Sequence, residues 1–217
     1  MRKAVIAGAT GLVGGELLNI LLQLSDYQEV LILVRRAMDI SHPKLVQLII
    51  DFDKLTEHTD AINGHAIFCC LGTTQSQTPA KVQYRKIDHD YPVKLGEIAK
   101  HNHVNQYHFI SSLGADINSK VFYTRLKGET ENDLAHLTLP CLHIYQPSLL
   151  IGNRKKARPM EKFMNFMMKL ANPLLQGSLK KYQSIKAHTV AMAMYKQSLN
   201  NDTGLFIHPS DHIKNIA

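Results

Sequence analysis

The sequence predicts an α/β fold in which one doubly wound, mostly parallel sheet carries a small C-terminal helical cap. Two observations support this prediction. Short apolar runs alternate with helical patterns along most of the 217-residue chain, as in repeated strand–helix–strand units. The runs are apolar throughout instead of alternating in polarity, which is typical of parallel strands buried on both faces. Right-handed crossovers between such strands place helices on both faces of the sheet.

Each element follows from its own pattern. Residues 3–7 form a short apolar run that ends in a glycine, and residues 11–24 repeat Leu and Ile at helical spacing. Further apolar runs predict strands at residues 29–34, 44–50, 66–71, 106–110 and 141–145. Helical patterns lie between them at residues 79–100, with a kink expected near Pro92, and at residues 121–136.

The regular alternation of predicted strands and helices changes after about residue 147. The predicted elements of this tail are a Met-rich helix over residues 159–175, a helix over 184–197 and a closing strand over 205–208. The tail has too little apolar material to bury a core of its own. We therefore expect a single domain over residues 1–217, with residues 1–147 as the core sheet and residues 148–217 as a dependent cap and closing strand.

Composition limits the functions to consider. The formal net charge is +7, and residues 154–186 hold nine basic residues but one acidic residue, Glu161. This segment is either a surface for an anion or a solvated helix face. No nucleic-acid reader motif accompanies the charge, so nucleic-acid binding is not expected.

The chain shows no sign of a membrane or secreted protein. No run of about 18 apolar residues predicts a membrane span, and glycines interrupt the N-terminal apolar run, unlike in a signal peptide. Cys69, Cys70 and Cys141 lack metal-ligand spacing, so no metal site is expected. Reduced core thiols indicate a cytoplasmic protein. We expect a monomer or homodimer without membrane association.

The segment Gly8-Ala9-Thr10-Gly11-Leu12-Val13-Gly14 follows the first strand and opens the first helix. Glycines at these spacings allow a tight turn, close approach of the backbone to a pyrophosphate and close packing of helix on strand. The helix N-terminus favours an anion through its free N–H groups and its dipole. The motif predicts a dinucleotide site of the Rossmann type, with a merely tight turn as the alternative. The residues expected at the cofactor are Gly8, Thr10, Gly11, Leu12, Val13 and Gly14.

The second strand ends in Arg35 and Arg36. A free 2′-hydroxyl is usually held here by Asp or Glu, whereas a 2′-phosphate needs arginine, and guanidinium groups can also stack on an adenine ring. Asp39 lies beyond the strand end and is a poor candidate for that carboxylate. The sequence therefore favours NADP(H) over NAD(H), with a solvated turn as the alternative.

Two further loops follow predicted strands, at the edge where ligands of open α/β sheets bind. Asp51 and Phe52 follow the third strand and are placed to reach the adenine amino group. Leu71, Gly72 and Thr73 follow the fourth strand and are placed to lie along the pyrophosphate and ribose. For each of these residues, ordinary loop capping is the alternative.

Tyr123 and Lys127 lie one turn apart on the same face of a predicted helix. Upstream, Ser111 and Ser112 close the fifth apolar run. A hydroxyl donor, a phenol and a cation together can move a proton on or off a carbonyl oxygen. Because the unperturbed pKa of tyrosine is about 10, the phenol needs a nearby cation to act near neutral pH. The alternative is a half-buried aromatic residue beside a solvated lysine.

These motifs fall in an order that resembles the atypical short-chain dehydrogenase/reductases, in particular their Tat-interacting-protein-like branch among the NmrA-like and epimerase-like Rossmann proteins. The resemblance covers essentially the whole chain. It is carried by residues 8–14, 71–74, 111–115, 123–129 and 147–154. It implies an NADP(H)-dependent oxidoreductase that moves a hydride to or from an unidentified small carbonyl or alcohol.

The resemblance also implies roles for single residues. Tyr123 would be the general acid/base, and Lys127 would promote its ionisation and hold the nicotinamide ribose. Ser112, in preference to Ser111, would bind the substrate oxygen. The other implied residues are Pro147 and Leu149 at the cofactor and Arg154 and Arg158 at the substrate.

One position departs from the family pattern. Gln146 stands where relatives usually carry an arginine before Pro-Ser, so an anion contact is expected to be missing there, and Arg154 and Arg158 would compensate. This departure leaves a second hypothesis open. The protein would then be a regulator that senses NADPH and binds a protein partner, with little or no turnover.

Overall fold

The structure, a computed structural model, describes residues 2–152 and 182–217. Arg154, Arg158 and the Met-rich helix predicted over residues 159–175 lie outside the described residues. The described strands are β1 (Lys3–Ala7), β2 (Glu29–Val34), β3 (Leu45–Ile49), β4 (Ala66–Cys69), β5 (Gln106–Ile110), β6 (Cys141–Gln146), β7 (Leu150–Ile151), β8 (Ile185–Lys186) and β9 (Gly204–Pro209). The described α-helices are α1 (Leu12–Gln23), α2 (Lys81–Arg85), α3 (Tyr91–His101), α4 (Phe122–His136), α5 (Ala187–Gln197) and α6 (Ser210–Ile216).

Seven strands form one parallel sheet in the order β3-β2-β1-β4-β5-β6-β9, and β7 and β8 form a separate parallel ribbon. The chain runs outward from β1 through β2 to β3 and then crosses back to β4, so the order reverses between β1 and β4. Ligands of open α/β sheets bind at such a reversal, outside the carboxyl ends of the strands. The predicted doubly wound Rossmann sheet is confirmed.

The central strand β1 shows why its run is apolar throughout. Ala4 and Ile6 belong to the core that includes α1 and α5, while Val5 and Ala7 belong to the core that includes α3 and α4. All four residues are fully buried because helices cover both faces of the sheet. Within the described residues, no helix is both long and apolar enough to cross a membrane.

The structure differs from the sequence prediction around Pro92. Instead of one helix kinked at the proline, α2 and α3 are joined by a π-helical turn, Lys86–Asp90. Pro92 lies in the first turn of α3, and the helical backbone of Asp90 and Tyr91 leads into it from the π turn. The irregular turn thus ends two residues before the proline, which cannot donate an intrahelical hydrogen bond, and contacts with α4, described below, also hold it.

Other element ends differ as well. The fourth strand stops at Cys69, and the helix predicted from residue 184 begins at Ala187 because the residues before it pair with β7. The chain also continues beyond β9 into α6, which the sequence did not predict. The third strand is an edge strand, so Val46 and Ile49 are 46% and 57% exposed instead of buried.

A layer of buried histidines crosses β5, β6 and β9. His108 and His143 are register partners, and their ring centroids stack 4.6 Å apart. The Nδ1 of His143 lies 2.9 Å from the Nε2 of His208. Burial lowers the pKa of His143 and of His208 to about 4 and lowers the pKa of His108 well below its usual value. The rings therefore serve as neutral aromatic residues in strands that the sequence predicts as apolar.

We predict that this layer makes the fold sensitive to acid. Because unfolded histidines have a pKa of about 6.5, the unfolded chain binds more protons than the folded one between about pH 6.5 and pH 4. The free energy of unfolding therefore falls as the pH drops through that window, by up to about 1.4 kcal/mol per pH unit for each such histidine. His143→Phe keeps a ring in the stack and should reduce this slope, measured by urea unfolding.

The control is His136, an exposed residue of α4. His136→Gln should leave the slope unchanged. An equal slope in His143→Phe and in the unmodified chain would contradict the prediction.

Candidate cofactor and active site

The glycine segment forms a tight turn between β1 and α1. Gly8 has φ +92°, and a Cβ at this position would lie 2.6 Å from the carbonyl oxygen of Cys70 at the end of β4. The N–H of Gly11 donates to the carbonyl oxygen of Gly8 at 2.9 Å and closes the turn. Only a residue without a side chain fits at position 8.

The same turn packs directly under the first turn of α1. A Cβ at Gly14 would lie 2.2 Å from the carbonyl oxygen of Gly8. The N-cap residue Gly11 supplies no side-chain cap, and the first N–H groups of an α-helix have no intrahelical acceptor. The backbone around Gly8–Gly14 thus fits an anion such as a pyrophosphate. In this segment Thr10 is exposed, whereas Val13 is buried.

The loop after β4 lies beside the glycine turn. The N–H of Thr73 donates to Asp88 Oδ2 at 2.8 Å, and the Tyr84 hydroxyl donates to the carbonyl oxygen of Thr73 at 3.2 Å. A Cβ at Gly72 would lie 3.5 Å from Asp88 Oδ1 and 4.0 Å from Lys127 Nζ. The predicted loop over residues 71–73 therefore passes directly over the predicted lysine.

Lys127 forms a buried ion pair that the sequence prediction missed. Its Nζ lies 3.1 Å from Asp88 Oδ1, and the two side chains are 4% and 1% exposed. It also donates to the carbonyl oxygen of Ile110 at 3.3 Å. Burial alone lowers the pKa of Lys127, but the Asp88 carboxylate and, to a lesser extent, Tyr123 raise it above its usual value overall. Lys127 is therefore a fully charged residue inside the protein.

The π turn holds Asp88 against α4. The Thr130 hydroxyl lies 3.1 Å from the carbonyl oxygen of Asp88 and 2.8 Å from that of Leu126, so its one proton is shared between the two. His89 Nε2 lies 3.0 Å from Asp133 Oδ2. The sequence does carry a signal for Asp88, because it lies four residues after the buried Tyr84 in the helical pattern. An acid on a buried helix face needs a partner, but sequence spacing does not show which cation supplies it.

The serine pair ends β5 next to these groups. Ser111 and Ser112 are 4% and 8% exposed, and neither hydroxyl oxygen has a hydrogen-bond partner of good geometry among the described residues. Burial raises the pKa of Glu131, and the nearby Ser111 hydroxyl and the Gln146 amide partly offset that rise. The Ser111 hydroxyl thus lies near the Glu131 carboxyl group, whereas the Ser112 hydroxyl remains available to another partner.

Gln146, where the sequence analysis expects a departure from the family pattern, contacts a carboxylate. Its Nε2 donates to both carboxyl oxygens of Glu131, each at 3.0 Å. A neutral amide thus pairs with this half-buried carboxyl group. The contact holds the end of β6 against α4 without adding a cation.

Tyr123 stands at the rim of this cluster, in the first turn of α4. It is 39% exposed, and its phenol acts electrostatically on both Lys127 and Tyr84. The pKa of Tyr84 is raised by burial, by Asp88 and by Tyr123. Within the predicted pair, Lys127 lies at the end of β5 and under the loop over residues 71–73, and Tyr123 lies one turn earlier on α4.

The adenosine end is more open. Arg35 and Arg36 are exposed directly after β2. Asp51 Oδ1 accepts the N–H of Asp53 at 3.0 Å and so caps the 3₁₀ helix Phe52–Ala61. Phe52 is buried and packs on Tyr91 with ring centroids 5.5 Å apart. Capping, the alternative considered for Asp51, is therefore observed.

The connection after β6 covers the glycine turn. The carbonyl oxygen of Pro147 accepts the N–H of Leu113 at 3.0 Å, and that of Leu149 accepts the N–H of Ile185 at 3.0 Å. A Cβ at Gly152 would lie 2.6 Å from Leu12 Cδ1. Pro147 thus meets the loop after the serine pair, and Leu149 contacts the start of β8.

Comparison with known proteins identifies the family of this chain. The sequence model of a family described as NAD(P)H-binding matches residues 8–138. Protein HTATIP2 of Rattus norvegicus is 33% identical over 164 residues, which cover 74% of this chain and 67% of that protein. The chain is an atypical short-chain dehydrogenase/reductase of the NAD(P)H-binding family. The predicted family is confirmed.

Other relatives agree with this assignment. Protein FMP52, mitochondrial, of Coccidioides immitis is 30% identical over 212 residues, which cover 92% of this chain and 86% of that protein. Among solved structures, MoeE5 in complex with UDP-glucose and NAD has a TM-score of 0.72 at 16% identity, covering 95% of this chain and 75% of that chain. The UDP-N-acetylglucosamine 4-epimerase of Methanobrevibacter ruminantium M1 has a TM-score of 0.71 at 16% identity, covering 96% and 76%. These two likenesses establish the fold alone.

We predict that Gly14→Ala destabilises the protein strongly. Its Cβ would overlap the carbonyl oxygen of Gly8 at 2.2 Å, so α1 or the turn must shift, at a cost of about 2 kcal/mol or more in the free energy of unfolding. The adjacent Gly15 is the control, because its Cβ would meet no heavy atom closer than 3.4 Å. Gly15→Ala should be neutral or stabilising by up to about 1 kcal/mol. Equal effects of the two changes in urea unfolding would contradict the prediction.

Proposed function

We propose that the protein is an NADP(H)-dependent oxidoreductase that acts on a small carbonyl or alcohol. The observation that carries the proposal is the place of the buried Lys127, in an NAD(P)H-binding protein, under the loop that continues from the residue touching the glycine turn. Tyr123 lies one turn before Lys127 on α4, and Ser112 follows β5, whose Ile110 carbonyl oxygen accepts a hydrogen bond from the Lys127 ammonium group. A bound nicotinamide would supply or accept the hydride. The chain would bind the cofactor, orient the substrate and move the proton.

Cofactor binding would divide between two ends of the site. The backbone of Gly8–Gly14 at the start of α1 would hold the pyrophosphate. Leu71–Thr73, Pro147 and Leu149 would line the path to the nicotinamide ribose, which Lys127 would hold through its ammonium group. The passage of this loop over Lys127 supports the assignment.

The proton would move at Tyr123. Its partly exposed phenol can exchange protons with solvent and lies within electrostatic reach of Lys127, as general acid/base catalysis requires. Ser112 would bind the substrate oxygen, since a buried hydroxyl without a partner is unfavourable until a ligand supplies one. The proximity of Ser111 to Glu131 supports the choice of Ser112.

NADP(H) is favoured over NAD(H) by Arg35 and Arg36. Both are exposed at the end of β2, one strand outward from the glycine turn. Guanidinium groups there are suited to a 2′-phosphate, both as bidentate donors and as planar stacking partners for adenine.

We predict that Arg35→Ala with Arg36→Ala weakens NADPH binding by about tenfold to a hundredfold, because two charge-assisted contacts to the 2′-phosphate are lost. NADH binding should change little, and cofactor fluorescence titration measures both. The control is Lys100→Ala with Lys196→Ala, which removes equal charge near the C-terminal ends of α3 and α5. An equal loss of NADPH affinity in the control would contradict the cofactor preference.

We further predict that Tyr123→Phe reduces turnover by about a hundredfold or more, the usual contribution of a general acid/base. The NADPH dissociation constant should stay within about threefold, because the phenol oxygen is not proposed to carry binding energy. Oxidation of NADPH across a panel of small aldehydes and ketones measures turnover. Full turnover in the variant would refute the assigned role.

A second candidate is a regulator that senses NADPH with little or no turnover. One observation favours it: the charge of Lys127 is already balanced by Asp88. The expected loss of an anion contact at Gln146, which donates to Glu131 instead, is consistent with it. The same carbonyl panel separates the two candidates. Tight NADPH binding without turnover, together with a protein partner released when NADPH is exchanged for its oxidised form, would favour the regulator.

Some proposals rest on the sequence alone. Arg154 and Arg158 remain proposed substrate contacts, and they lie outside the described residues. A cytoplasmic location also remains a proposal, and the related FMP52 proteins are named as mitochondrial. Fluorescent tagging at the C-terminus would distinguish the two compartments.

A further inference from the structure

Asp88 joins the loop after β4 to α4 through three contacts. Its Oδ1 contacts Lys127 on α4, its Oδ2 accepts the N–H of Thr73 in the loop after β4, and its carbonyl oxygen accepts the Thr130 hydroxyl. The side chain is 1% exposed. A buried carboxylate with two fixed partners has little freedom to move. It therefore fixes the loop and the lysine relative to each other.

The surroundings of Lys127 explain why this carboxylate matters. The titratable groups that face it are Asp88 from the π turn, Tyr123 and Glu131 from α4, and Cys69 from β4. Of these, Asp88 is the group that makes the ion pair. Burial opposes the charge of Lys127, and Asp88 is the largest influence that restores it. Without Asp88, the ammonium group would be a buried cation without its carboxylate.

We propose that Asp88 is the positioning residue of the cofactor site, which keeps Lys127 charged and holds it against the loop over residues 71–73. This inference rests on the proposed function, since it requires that Lys127 binds the cofactor. Asp88 itself need not touch the cofactor. Its charge would act on cofactor binding through Lys127, whereas its hydrogen bond to the Thr73 N–H would act through the loop.

The test is the pH dependence of NADPH affinity in Asp88→Asn, which keeps an acceptor for the Thr73 N–H but removes the charge. In the unmodified protein Lys127 stays charged, so its ionisation should not change the NADPH affinity between about pH 7 and pH 9.5. In Asp88→Asn burial lowers the pKa of Lys127, and the affinity should fall by about tenfold or more as the pH rises through that range. Lys127→Met and the double variant should bind weakly and without this pH dependence.

Two results would overturn the proposal: an affinity loss in Asp88→Asn that is the same at every pH, or a pH dependence that persists in the double variant. If the unmodified protein binds neither NADPH nor NADH, the proposed function fails instead. The ion pair is then still tested by thermal unfolding without cofactor. Asp88→Asn should melt at a lower temperature than the double variant, because it leaves a cation unpaired in the interior. The reverse order would refute the role of Asp88 as the partner of Lys127.

Discussion

The candidate site depends on one close backbone approach. The end of β1 can meet the end of β4 because position 8 has no side chain, since a Cβ there would lie 2.6 Å from the carbonyl oxygen of Cys70. That approach occurs where the strand order reverses, and it sets the direction in which α1 begins. The loop that continues from Cys70 then reaches Thr73, which is fixed by Asp88. One steric constraint thus connects the phosphate end of the site to the buried Lys127.

The sequence predicts the parts of this arrangement that local chemistry determines. The runs at residues 29–34 and 106–110 match β2 and β5 residue for residue, because polar residues or turns bound a short buried strand on each side. The turn itself is also local, since the Gly11 N–H donates to the Gly8 carbonyl oxygen and Gly14 packs against that same oxygen. The contact between Gly8 and Cys70 is the one part of the motif that involves a distant residue.

Features set by distant contacts were missed. The π turn exists where Asp88 and His89 are held by Thr130 and Asp133 of α4, and no local pattern encodes that contact. The two-residue strands β7 and β8 are too short to give a periodic signal. In the sequence, His143 is a polar residue within an apolar run. In the structure it is a neutral ring that stacks on rings from the neighbouring strands. In each case the partner, not the residue type, decides the structure.

In the proposed function, the charges of the site would separate phosphate binding from proton transfer. Among the described residues, Lys127 is the one buried lysine or arginine, and Asp88 balances it in direct contact. Glu131 is paired with the neutral amide of Gln146, so this pair adds no second cation to the cluster. Attraction for the cofactor phosphates would therefore fall to the N-terminus of α1 and to Arg35 and Arg36 after β2, whereas Tyr123 lies on α4. An enzyme and an NADPH sensor would share that phosphate end. They would differ only at Tyr123. There Asp88 cancels part of the electrostatic field of Lys127, so in an enzyme the substrate must supply the remaining interactions.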